Sequence, residues 1–156
     1  MFRVIPLLTL AISTSVWSGE LTIKVANIKY KGVLYAAVYD DKEVFESDKG
    51  DNSQQRPGIV GGLIKEVMPG EAEGTIELEE GTYSIGFFID KNDNEKLDTN
   101  FLGIPKEQFG FSNDVMGRFG PPSFEAASFD HENETVLTMK AKYCLLYTSP
   151  SPRDIS

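Results

Sequence analysis

From Tyr83 to Ile89 every second residue is apolar: Tyr83, Ile85, Phe87 and Ile89 form one stripe, with Gly86 and Phe88 opposite. A period of two sets one face of a strand against a core. Just upstream, Ile76 and Leu78 alternate with Thr75, Glu77 and Glu79, and Gly81 marks a turn. The two runs together predict an antiparallel hairpin. LTIKVANI, Leu21 to Ile28, alternates well enough for another strand. In the next run Leu34, Ala36 and Val38 share one side, and Val33, Tyr35, Ala37 and Tyr39 the other. Apolar on both sides, it is expected at the centre of a sheet covered on each face. Ile59–Met68 reads as a strand broken at Gly61 and Gly62, with Pro69-Gly70 as a turn. Glu134–Ala141 returns to alternation. Asp41–Gly58 is polar and turn-rich, with Val44 and Phe45 placed to tack it down through one helical turn. About seven short strands and hardly any helix predict an all-β fold, an antiparallel Ig-like or transthyretin-like β-sandwich with one long ordered loop.

The two ends depart from this pattern. Arg3 precedes the almost wholly apolar Val4–Ile12, and small residues follow, with Val16 and Ser18 at the minus-three and minus-one positions of a cleavage pattern. That order predicts a secretory signal peptide over residues 1–18, and so an exported, periplasmic or extracellular protein. The apolar run is shorter than the roughly 20 residues that a spanning helix needs, so no membrane span is expected in the mature form. At the other end CLLYTSPSPRD, Cys144 to Asp154, resembles the translation of a transposase adapter used in sequencing libraries. Residues 144–156 are therefore expected to be a non-native tail, leaving a single domain over 19–143. The only cysteine falls in that tail, so the domain offers no disulfide, thiolate nucleophile or cysteine-based metal site. The formal net charge of −9 repels phosphate backbones and argues against a nucleic-acid partner.

Past Ile89 the alternation gives way to DKNDNEKLD, Asp90 to Asp98. A tight turn points alternate side chains inward, and hard cations take oxygen ligands. The spacing therefore predicts a site for Ca2+ with Asp90, Asn92, Asn94, the backbone carbonyl of Lys96 and Asp98 as ligands. Leu97 is apolar and suits pinning the loop to the domain. Two positions depart from the motif: Glu95 stands where it has Gly, and Phe101 where it has a bidentate Glu. Asp93, Glu95 or another loop reaching over would have to compensate. Two carboxylates and two amides predict weak binding, about 10⁻⁴ to 10⁻³ M, the range of extracellular modules. The same residues also suit a solvated polar turn held by Asx-turns, and both readings stay open.

Downstream, LGIP, FGFSN and FGPPSFE, preceded by GTYSIGFFIDKNDNEKLD, resemble a bacterial secreted family catalogued as domain of unknown function 2141. The similarity runs from Leu21 to about Ala141 and implies a compact exported β-sandwich with a long ordered loop after the Asn-rich turn. Members usually carry His-Asp where this chain has Ile89-Asp90, and Gly where it has Glu95. The missing histidine weakens any role for it here as ligand or base. The family has no established activity, so the resemblance implies fold and compartment alone.

The long loop supports this from its own residues. Phe101, Phe109, Phe111, Phe119 and Phe124 are many aromatics for a tether, and Pro105, Pro121 and Pro122 stiffen it. Loops this long are functional or disordered. Here the composition predicts packing on the sandwich, with the phenylalanines covering one sheet face. An aromatic surface gripping a glycan, peptide or protein partner is the alternative. The expected function is an exported, non-enzymatic binding or structural module, with a partner-docking accessory domain or a hydrolase as alternatives. His131 lies in the polar FDHENET turn and is expected to face solvent. Ser112 and Ser123 lack a nucleophile-elbow setting. Glu107, Asp114 and Glu125 could form an acid–base pair, but nothing in the sequence brings two together.

Overall fold

The computed structural model describes residues 18–50, 56–117 and 121–143. Apart from Ser18, the expected signal segment and tail lie outside the described residues, as does Phe119. Strands occupy 54% of the described residues and the helices among them are two short pieces, so the all-β sandwich is the fold.

One sheet has three strands. In it β1 (Ser18–Ile28) lies between β4 (Gly70–Glu79), antiparallel, and β8 (Glu134–Lys140), parallel. The other runs β3 (Ile59–Val67), β2 (Gly32–Tyr39), β5 (Gly81–Asp90) and β6 (Phe109–Phe111), all antiparallel; β7 (Phe129–His131) pairs with the start of β5. Among the described residues eight strands stand where about seven were expected, because β6 and β7 are three-residue pieces too short to show alternation.

The period-two stripes build the core. Leu21, Ile23 and Val25 of β1 meet Leu34, Ala36 and Val38 of β2 and Ile85, Phe87 and Ile89 of β5, with Met139 of β8 beside them, all buried. The opposite face of β2 is covered too, as its two-sided pattern implied. Tyr35 stacks on Phe88 at 5.2 Å, next to Phe109. Ala37 and Tyr39 pack with Phe45 of α1 (Lys42–Ser47) and Ala127 of α2 (Phe124–Ala127). Asp41 caps α1 by accepting the Val44 N–H at 3.0 Å.

Two expectations are corrected. The hairpin over Thr75–Ile89 does not form: β4 and β5 lie in different sheets, and Glu80 carries the chain from one to the other. A two-residue hairpin turn needs positive φ, and Gly81 is not among the residues with positive φ. Instead the Tyr83 hydroxyl donates to the Glu79 carbonyl at 2.8 Å and ties the corner. The strand Ile59–Val67 is not broken at its glycines, since Gly61 and Gly62 pair with Val38 and Ala37. The irregularity is a register shift between Val38 and Tyr39, a bulge rather than a break.

The candidate cation loop and its surroundings

The Asp/Asn stretch leaves the end of β5 and folds as a tight turn. Asp90 is 1% exposed, and its Oδ2 accepts the Glu95 N–H at 2.8 Å. Glu95 takes φ 62, the left-handed conformation for which the calcium-loop motif uses glycine at that position. Asp93 is also left-handed, at φ 58. At Glu95 the backbone thus takes the conformation that the motif requires at its sixth residue, although that residue carries a side chain. Leu97 pins the loop as expected: its N–H donates to the Gly50 carbonyl at 2.8 Å, and its side chain packs beside Tyr35, Phe88 and Phe109.

The candidate ligands are arranged unequally. Asn92 and Asn94 both direct their side-chain N–H groups at the Asp98 carboxylate, and the Asn94 Oδ1 accepts the Lys96 N–H at 3.1 Å. A half-turn of each amide would present oxygen in place of N–H. One atom stands apart. The Oδ1 of Asp90 is buried and has no hydrogen-bond partner. A buried carboxylate oxygen without a partner is expensive, and a hard cation is the kind of group that relieves it. Among the described residues no three His, Cys, Asp or Glu side chains are gathered closely enough to hold a metal ion. Asn oxygens and backbone carbonyls would therefore have to supply the remaining ligands.

Glu107 is the residue whose place here the sequence did not reveal. It entered only as one of three possible acids, yet it is 3% exposed and sits across the loop. Its Oε1 accepts the Lys91 N–H at 2.8 Å, and its Oε2 accepts the Asp98 N–H at 3.0 Å. Burial pushes its carboxyl above the usual range and the charges of Asp98 and Asp90 add to this, while the two amide bonds oppose it. Below lies a polar network. The Tyr30 hydroxyl donates to the Ile89 carbonyl at 2.8 Å and accepts the Gln108 N–H at 2.7 Å. Gln108 in turn accepts the Lys29 N–H and donates to the Asn27 carbonyl. The available signal was the polar pair Glu107-Gln108 directly ahead of the apolar Phe109–Phe111 run.

The other acids do not join Glu107. Asp114 accepts the Lys140 N–H at 2.8 Å, and Glu125 pairs with Lys42 at 2.9 Å. Ser112 is buried and bonded to the Ile85 N–H and the Ala127 carbonyl, while Ser123 caps α2. His131 corrects the sequence reading most clearly. It is 1% exposed, with Nε2 donating to the carbonyls of Leu78 at 3.0 Å and Gly19 at 3.2 Å, and Nδ1 lying 2.7 Å from the Thr135 hydroxyl. A polar run flanks it, but β7 turns it into the seam between the sheets.

The long loop divides in two. Phe109 and Phe111 join the five-stranded sheet as β6, and with Phe124 their rings cover the face that carries Tyr35, Ala37 and Tyr39. Phe101 does not: it is 95% exposed at the tip of a turn, beside Leu102 at 68%. Asn100 holds that tip, its Oδ1 accepting the N–H groups of Leu102 and Ile104.

The model of a family described as an uncharacterised protein conserved in bacteria, DUF2141, matches residues 23–138. The chain belongs to this family. DUF2141 thus covers every strand of both sheets, apart from the outer ends of β1 and β8, together with the cation loop. No curated protein and no solved structure matches the chain.

Proposed function

We propose that this DUF2141 protein is an exported, non-catalytic β-sandwich module that works by binding, its Asp90–Asp98 loop holding a calcium-class cation weakly. The observation that carries the reading is the buried, unpartnered Oδ1 of Asp90 in a loop whose sixth residue adopts the left-handed turn. Asp90, Asn92, Asn94, the Lys96 carbonyl and Asp98 are the proposed ligands. The ion would supply charge neutralisation and hold the loop closed. The non-catalytic reading draws support from His131, Ser112, Asp114 and Glu125, each committed to a structural partner.

Thermal unfolding in excess chelator, then in millimolar calcium or magnesium, tests this. The midpoint should rise with calcium and less with magnesium, since an ion bound only by the folded state stabilises it by mass action. Asp90→Ala should abolish the rise. No shift at any calcium concentration reduces the stretch to a polar turn.

A second reading, docking to a glycan, peptide or protein through the long loop, is favoured by the exposed Phe101–Leu102 tip.

A further inference from the structure

We propose that Glu107 is the positioning residue of the cation loop, doing from outside it the closing work that its twelfth residue, Phe101, cannot do. The proposal rests on reading Asp90–Asp98 as a cation site. In loops of this type a bidentate carboxylate at the end draws the two arms together around the ion. The Phe101 side chain has no ligating atom and is exposed to solvent. Glu107 reaches the same two arms by another route. Its carboxylate oxygens take the amide hydrogens of Lys91, next to the first ligand, and of Asp98, the last one. One rigid group thereby sets the spacing between Asp90 and Asp98. The turn from Asp98 to Lys106 brings it back across the loop, closed by the Lys106 N–H on the Asp98 carbonyl at 2.8 Å and by pairing of Thr99 with Pro105.

Electrostatics points the same way. Asp90 and Glu107 are both buried, and none of the ion pairs among the described residues includes either. With Asp98 they form three neighbouring carboxylates without a basic partner, an arrangement that desolvation and mutual repulsion both oppose. A divalent ion at Asp90 and Asp98 offsets two of the three charges and relieves the repulsion among them. Because no three such side chains are close enough to share a metal, Glu107 acts through the two amides and its charge, not as a ligand. The unpartnered Asp90 oxygen is the independent sign that something belongs at this point.

Calorimetric calcium titration of the wild type, Glu107→Gln, Glu107→Asp and Gln108→Ala tests the proposal. Gln keeps the volume, removes the charge and turns one acceptor into a donor. Gln108→Ala cuts the neighbouring bonds to Lys29 and Asn27 and controls for general loosening. Glu107→Gln should weaken calcium binding by about 10- to 100-fold, the usual cost of losing a group that orients ligands from behind. Glu107→Asp should fall between, and Gln108→Ala should bind like the wild type. Unchanged affinity in Glu107→Gln, or equal weakening in Gln108→Ala, overturns the proposal while leaving the cation site standing. A wild type that takes up no calcium at millimolar concentration removes the site itself. If Glu107→Gln does not fold, Glu107→Asp against Gln108→Ala decides in the same way.

Discussion

The two ends of β5 each bury a polar side chain, and the structure treats them differently. At its start, paired with Gly81, lies His131, whose ring is bonded at both nitrogens to groups on β1, β4 and β8. At its end lies Asp90, with one oxygen bonded and the other left alone. Both residues are 1% exposed, so depth does not separate them. Satisfaction does. A buried polar group with all its partners is part of the scaffold, whereas an orphaned atom calls for a further partner, such as a water or an ion. The carbonyls of Gly19 and Leu78 only accept, so Nε2 of His131 carries a proton, while Nδ1 is engaged by the Thr135 hydroxyl. His131 is thus a polar rivet between the sheets, with no lone pair left over for a ligand.

The strongest way to break this comparison is at the rivet. His131→Ala takes a partner from one buried carbonyl, one part-buried carbonyl and a hydroxyl and opens a cavity, and should cost about 2–4 kcal/mol. Urea unfolding would show the loss, and any calcium response of the loop should survive it. A cost below 1 kcal/mol would show that water replaces the ring and that full bonding is no guide to a structural role.

A smaller effect is expected at the opposite end. Glu95 holds φ 62, so Glu95→Gly should stabilise the protein by about 1 kcal/mol in chelator by removing a left-handed side chain. It would also restore the residue of the motif, so calcium affinity should stay the same or rise. Destabilisation would mean that the Glu95 side chain matters more to the loop than its backbone does. Urea midpoints and calcium titrations on the same samples separate the two contributions.

The smallest effect should come from the loop tip. Phe101→Ser removes a side chain that is 95% exposed and should change stability by less than about 0.5 kcal/mol. A larger loss, measured by thermal or urea unfolding, would show that the tip supports the fold it stands on. It would then not be a surface kept free for a partner.

Much of the fold was legible because alternation is a local signal. The stripes of β1, β2, β5 and β8 can be read within a few residues, and each became a core face. Partner choice was not local. Ile76 and Leu78 alternate equally well in a hairpin and across a sandwich, and the backbone at Gly81 decides between them. The parallel pairing of β1 with β8 was equally hidden, because it joins segments from the two ends of the domain.

For the loop, spacing alone suggested Asp90, Asn92, Asn94, Lys96 and Asp98 as the proposed ligands, since hard-cation ligation follows a fixed sequence interval. Sequence by itself also determined the β class, the acidic surface and the family. Only the tertiary structure turned His131 inward, left Phe101 outside and laid Glu107 across the loop. Those outcomes depend on which backbone amides and carbonyls a buried side chain meets, and these come from segments far apart in the chain. A one-dimensional pattern records which residues prefer burial. It does not record which polar atoms will be waiting for them.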